Sequence, residues 1–227
     1  YKNKPDNIVA VTGTNGKSSV ADFFYQILNI NKISVASIGT LGVFSKKYNK
    51  KINLTSMDPL SLHKTLEILS KNKIKNVILE ASSHGLDQKR LDYLKIKTGI
   101  FTNLSHDHLD YHKNMHLYLN AKMHLFKSLL KKNCKIITDK DIKEFKIINT
   151  IAKQKEIKPI TIGSRSGNLK ILSNKYKQKK QRVKISFNSK IYNLEIPIIG
   201  YFQIKNLFMA ILAAAQCGLK IEKIFKQ

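Results

Sequence analysis

Apolar positions along the chain follow three successive rhythms. Residues 8–11 (IVAV), 32–37 (KISVAS), 76–79 (NVIL), 98–102 (TGIFT), 135–138 and 159–163 are short apolar runs bounded by polar or glycine-bearing segments, as expected of strands buried on both faces of a parallel sheet. Between them, residues 18–28 (SSVADFFYQIL), 60–69, 115–130 and 140–152 carry apolar residues at helical spacing, and Asp58 with Pro59 reads as an N-cap and first helical residue. The glycines of residues 38–44 (IGTLGVF) mark a turn. From residue 169 the rhythm changes. Residues 169–172, 182–187 and 191–196 alternate polar and apolar across short polar turns, which predicts an antiparallel meander. Residues 200–218, rich in Ala, Leu and Ile, predict a last helix stopped by Gly218, with Asn206 near its start and able to face a ligand. The expected fold is α/β: a mostly parallel sheet flanked by helices, with a small antiparallel meander near the C-terminal end. A length of 227 residues suits one such domain.

The stretch from 8 to 19, IVAVTGTNGKSS, places a strand, a turn of small residues and a helix in immediate succession. Unpaired backbone N–H groups and the helix dipole at that junction favour a phosphate. Gly13 and Gly16 let the backbone approach, Thr14 and Asn15 lie between them, and Lys17 is placed for β/γ-phosphates. Ser18 offers a hydroxyl to magnesium, and Ser19 continues the helix start. Val11 stands where the general loop pattern has its first glycine. A bland strand–turn–helix is the alternative reading of this stretch alone. A second acidic signal supports the nucleotide reading: residues 76–79 run into Glu80 at the carboxyl end of a core strand, where open α/β sheets gather ligand groups and where phosphate-loop folds bring an acid to magnesium.

Composition changes this picture little. A formal charge of +26 invites a nucleic-acid reading, yet the lysines are spread over every segment among many Asn and Ile, and only residues 177–182 (KQKKQR) form a dense basic run, the usual mark of a solvated turn. Two cysteines far apart in sequence give no disulfide framework and fit a reducing cytoplasm. No apolar run approaches the roughly 20 residues that cross a bilayer. The chain starts at Tyr1 rather than Met, as expected of a piece of a longer protein. Residues 103–112 (NLSHDHLDYH) are the most polar cluster; His108 and His112 have zinc-like spacing, with no cysteine nearby to complete a structural site. Lys122, in the middle of a predicted helix, reads by itself as solvated.

Taken together these stretches resemble the Mur ligases of peptidoglycan synthesis, and within them the MurE type. The resemblance covers nearly the whole chain. It is carried by TGTNGKSS at 12–19, TSMDPLSLH at 55–63, LEASSHGLDQKRLD at 79–92, FTNLSHDHLDYH at 101–112, the Ala121–Lys122 pair and the G-x-F-x-x-x-N segment at 200–206. Other superfamily members, folylpolyglutamate synthases among them, share the phosphate loop but not this combination.

The resemblance implies a P-loop NTPase-like Mur ligase central domain over 1–227, without the N-terminal UDP-binding and C-terminal domains. It implies a cytoplasmic bacterial enzyme, working as a monomer with no nucleic-acid or membrane partner. The implied reaction is ATP-dependent amide ligation: a diamino acid, meso-diaminopimelate or L-lysine, joins UDP-N-acetylmuramoyl-L-alanyl-D-glutamate through an acyl phosphate, with ATP and Mg²⁺ as cofactors. By the same resemblance, Gly13, Thr14, Asn15, Gly16, Lys17, Ser18, Ser19 and Asn206 bind ATP. Thr55, Ser56, Ser82, Gln88 and Arg90 hold the muramoyl dipeptide. Ser18 and Glu80 serve one metal, His108 and a carbamylated Lys122 a second, and Lys17, His108 and Lys122 count as catalytic. Two residues depart from the family pattern: Ser56 stands for a threonine and Gln203 for an asparagine. The rival reading from another class is a nucleic-acid-associated P-loop NTPase.

Overall fold

A computed structural model describes residues 3–52 and 54–225. Strand β1 (Asn7–Thr12) lies inside one ten-stranded sheet, fourth from one edge, and is fully buried from Ile8 onward, with Ile8 and Ala10 facing one core and Val9 and Val11 the other. It is followed by α1 (Lys17–Ile30), β2 (Val35–Gly39), β3 (Gly42–Ser45), α2 (Pro59–Lys71), β4 (Asn76–Glu80), α3 (Ser83–Asp87) and β5 (Ile96–Phe101). Then come α4 (Leu109–His112), α5 (Met115–His124), β6 (Lys135–Asp139), α6 (Phe145–Gln154) and β7 (Ile160–Gly163). Strands β8 (Leu169–Lys177), β9 (Lys180–Phe187) and β10 (Lys190–Ile196) precede α7 (Tyr201–Ala215) and α8 (Ile221–Ile224).

The strand order is β10-β9-β8-β7-β6-β5-β1-β4-β2-β3. Pairing is parallel from β2 through β4, β1, β5, β6 and β7 to β8, and antiparallel in the β2–β3 hairpin and in the β8–β9–β10 meander. The meander therefore continues the main sheet. Because β1 has β4 on one side and β5 on the other, chain connections diverge from it in opposite directions and open a crevice at the carboxyl ends of these strands. The sheet's two faces are covered by separate layers. Leu62, Leu66 and Leu69 of α2, Phe126 and the α6 isoleucines pack on one; Phe24 and Leu28 of α1 with the apolar stretch of α7 pack on the other.

Several elements differ from the expected spans: β5 starts at Ile96, β8 runs on to Lys177, and α7 ends at Ala215, before the Gly218 expected to stop it. The second strand begins at Val35, because Lys32 adopts a left-handed φ of 58° that ends α1. The glycines at 39 and 42 form a β-hairpin. Helix α6 starts at Phe145 rather than 140, since Asp139 Oδ1 accepts the N–H of Asp141 at 2.9 Å and shapes a turn there. The 115–130 helix is α-helical to His124 and a π-helical turn over Leu125–Leu129. Asp58 does cap α2, accepting the Ser61 N–H at 2.9 Å. The basic run at 177–182, expected as a solvated turn, comprises the end of β8, the two-residue turn Gln178–Lys179 at positive φ and the start of β9, and is exposed except at Gln181.

Candidate active site

The crevice is a cavity of about 280 Å³ lined by Thr14 to Ser19, Thr40, Thr55, Glu80, Ser82, Ser83, His108 and Lys122. One wall is the loop between β1 and α1. Gly16 takes φ 87°, and a side chain there would bring a Cβ within 2.6 Å of Asn206 Oδ1. The loop is braced by the segment after β5: Thr14 N–H donates to Asn103 O at 2.9 Å, Asn15 N–H to Asn103 Oδ1 at 3.0 Å, and Thr102 Oγ1 to Asn15 O at 2.6 Å. Thr14 Oγ1 also bridges Ser105, accepting its N–H at 3.0 Å and donating to its carbonyl at 3.2 Å, and meets Tyr118 OH at 3.2 Å. Thr102, Asn103, Ser105 and Tyr118 are supports that sequence reasoning missed; the 101–112 stretch stands out by its polarity, but nothing in its spacing says that it pairs with residues ninety positions away.

Two lysines converge on this loop. Lys17 Nζ donates to the carbonyls of Gly13 (3.0 Å) and Thr14 (2.7 Å), and Lys122 Nζ donates to the same Gly13 carbonyl at 2.8 Å. Lys122 is 1% exposed and sits 4.2 Å over the Tyr118 ring, so it is not the solvated lysine its helical context suggests. Burial, with the Lys17 charge second, lowers its pKa to about 7, against the opposing pull of Asp107. Burial also lowers the Lys17 pKa, partly offset by Glu80 and Asp107.

Opposite the loop, Glu80 is buried at the end of β4. Its Oε2 accepts from Ser18 Oγ (2.9 Å) and Thr40 Oγ1 (3.1 Å), and its Oε1 from Thr40 N–H (3.0 Å). Thr40, another residue missed from sequence, thus fixes the carboxylate and also meets Thr55 Oγ1 at 3.1 Å. Ser18 and Glu80 form a hydroxyl–carboxylate oxygen pair, which fits magnesium, an ion that keeps waters and substrate phosphates as its remaining ligands. Among the described residues no group of three or more His, Cys, Asp and Glu side chains could hold a metal by itself, so His108 and His112 make no zinc centre. His108 lies at the mouth with its Nε2 3.5 Å from Asp107, while His112 is buried against Tyr118.

The remaining candidates divide between wall and scaffold. Thr55 and Ser82 line the cavity. Ser56 is buried behind them: its Oγ donates to Glu80 O and accepts the Ser82 N–H, both at 3.0 Å, while its carbonyl accepts from Arg90 Nη1 at 2.7 Å. Ser82 Oγ caps α3 through the Gly85 N–H at 3.0 Å. Gln88 Oε1 accepts from Arg90 Nε at 2.9 Å, so this pair stands beside the cavity rather than on its wall. Asn206 is 7% exposed, with its amide against Gly16 and its Nδ2 donating to Gln203 Oε1 at 3.1 Å. With Gln203 and the exposed Phe202 it lines an adjoining pocket that shares Asn15, Gly16 and Ser19 with the loop.

Comparison with known proteins agrees with this geometry. Residues 11–214 match the family described as Mur ligase middle domain. The chain is 40% identical over 228 residues to the "UDP-N-acetylmuramoyl-L-alanyl-D-glutamate--2,6-diaminopimelate ligase" of Rickettsia montanensis, covering 99% of this chain and 47% of that protein. It is 44% identical over 214 residues to the ligase of the same name from Rickettsia bellii (strain RML369-C), covering 92% and 45%. A solved structure of a ligase of that name superposes with a TM-score of 0.88 at 28% identity, covering 99% of this chain and 46% of the other. A MurF ligase from Thermotoga maritima in complex with ADP shares the fold, with a TM-score of 0.74 at 16% identity over 99% of this chain and 49% of that one. The chain thus spans about half the length of the curated relatives it matches.

Proposed function

The chain belongs to the Mur ligase family, and from that premise we propose that it is the nucleotide-binding part of an ATP-dependent ligase that joins a diamino acid to UDP-N-acetylmuramoyl-L-alanyl-D-glutamate in the cytoplasm. The observation that carries this reading is the cavity lined by both the half-buried Lys17 and the buried Lys122, whose amines share the Gly13 carbonyl, and by the Ser18–Glu80 oxygen pair. The names of the relatives favour 2,6-diaminopimelate as the amine.

In this reading ATP supplies the phosphoryl group that activates the acceptor carboxylate, and magnesium supplies neutralisation of phosphate charge. The chain's own residues do the positioning, which is most of what phosphoryl transfer asks of a protein. The N–H groups of the loop and the start of α1 receive phosphate oxygens. Lys17 leaves two backbone carbonyls to pair with the β/γ-phosphates. Ser18 and Glu80 would hold the metal ion, with Thr40 keeping the carboxylate aimed, and Asn206 borders the pocket that would take the base. Gln203 holds the Asn206 amide from the position where the family has asparagine.

On the acceptor side Thr55 and Ser82 present hydroxyls, while Ser56, Gln88 and Arg90 fix that wall; Arg90, held by the Ser56 carbonyl and Gln88 Oε1, would exchange its bonds to Gln88 for an anionic group of the muramoyl dipeptide. His108 and Lys122 would serve a second metal position, Lys122 as a carbamate. That form requires a neutral amine, which a pKa of about 7 supplies near neutral pH.

The test is product analysis by mass spectrometry. The full-length protein, given ATP, the muramoyl dipeptide and an equimolar mixture of 2,6-diaminopimelate and L-lysine, should yield the diaminopimelate amide. No amide with either amine would refute the proposal.

A further inference from the structure

Ser83 is 2% exposed, and its hydroxyl has no hydrogen-bond partner. Buried polar groups are nearly always paired, so a bare one in a site calls for a reason. The setting supplies one. Ser83 lines the crevice together with Lys17, Lys122, His108 and Glu80. Its neighbours are satisfied: Ser82 Oγ meets Ser56 Oγ and the Gly85 N–H, each at 3.0 Å, and Ser56 Oγ donates to the Glu80 carbonyl. The Glu80 carboxylate already receives three hydrogen bonds from Ser18 and Thr40. What the Ser83 hydroxyl lacks is a hydrogen-bond partner, and a cavity also lined by the half-buried Lys17 and the buried Lys122 is where an anionic oxygen would be drawn.

Ser83 belongs to the wall that carries Thr55, Glu80 and Ser82, facing the phosphate loop at 14–19. We propose that Ser83 Oγ donates a hydrogen bond to the acceptor carboxylate and holds it in line with the phosphoryl group, as a substrate-touching residue additional to Thr55 and Ser82. This rests on the ligase reading above. An orphaned hydroxyl stabilises nothing in the free protein, so its role is expressed only with acceptor bound.

The experiment compares Ser83→Ala and Ser83→Thr with wild type in the full-length protein. Ser83→Ala should lower kcat about tenfold or more, the loss expected for one hydrogen bond to a charged group. It should leave ADP affinity within about twofold and should not lower the Tm, because the group removed has no partner. Ser83→Thr, which keeps the donor, should retain most of the activity. An unchanged kcat in Ser83→Ala, or a lowered Tm with parallel loss of ADP binding, would overturn the assignment. A wild type that releases no ADP in response to acceptor overturns the ligase reading together with it, whereas an active wild type with an equally active Ser83→Ala overturns the role of Ser83 alone.

Discussion

The Nζ of Lys122, on α5, donates to the carbonyl oxygen of Gly13 at 2.8 Å across 109 positions of sequence. Lys17 donates to the same oxygen at 3.0 Å, so two amines meet at the glycine turn between β1 and α1. Among the described residues neither forms an ion pair with a carboxylate, and Glu80 and Asp107 offset the Lys17 shift, and Asp107 the Lys122 shift, only in part.

This arrangement makes stability depend on pH in a defined sense. The Lys122 pKa is about 7 in the folded chain against 10.5 when unfolded. Between these values the unfolded state holds the proton and the folded state does not, so stability rises as pH increases from about 7 toward 10.5, and below 7 the full burden of the buried cation remains. Urea unfolding of wild type and Lys122→Met across this range should show wild type gaining on the variant as pH rises; a pH-independent difference would mean Lys122 is not buried as a cation.

If Lys122 is carbamylated in the working enzyme, Lys122→Ala in the full-length protein should lose most of its activity, with partial recovery on adding acetate or formate to replace the missing carboxylate. Carbon-13 bicarbonate should give a carbamate signal in wild type that Lys122→Ala lacks. A fully active alanine variant would remove the assignment.

Lys17→Ala should abolish measurable nucleotide binding, a loss of at least about a hundredfold for a partly buried charge-assisted contact. Lys177→Ala, at the exposed end of β8, should leave the affinity within about twofold. Calorimetric titration separates the two; equal losses would mean that overall charge, and not the loop, attracts the nucleotide.

Thr14→Val removes the hydroxyl that ties the loop to Ser105 and Tyr118. Leaving those groups unpaired should cost about 1–3 kcal/mol of stability, read by urea unfolding, and weaken ADP binding. Tyr118→Phe removes one of these bonds and should cost about 1 kcal/mol.

The order of the main strands and longer helices was legible because most buried strands are short apolar runs and helices such as α1, α2 and α6 keep one apolar face, and the meander because β8 to β10 alternate; β3 and the short helices α3, α4 and α8 were not. The glycine loop after β1 was legible as a candidate site because its residues are consecutive. Glu80 could be read from its place at a strand end. Thr40 and Ser105 could not, since what they do depends on which loops the sheet order brings together. Lys122 is the clearest case: its neighbours in sequence give no sign of burial, and only the packing of α5 against the loop removes it from water. The π-helical turn at Leu125–Leu129 was equally hidden, being a matter of backbone registry that apolar spacing does not report.

The measurement that bears most directly on the account is ADP release by the full-length protein with ATP and magnesium, each acceptor being added in turn. The account predicts that release requires UDP-N-acetylmuramoyl-L-alanyl-D-glutamate and 2,6-diaminopimelate together, and that Lys17→Ala abolishes it. ADP release indifferent to the muramoyl substrate, or stimulated instead by oligonucleotide, would contradict it.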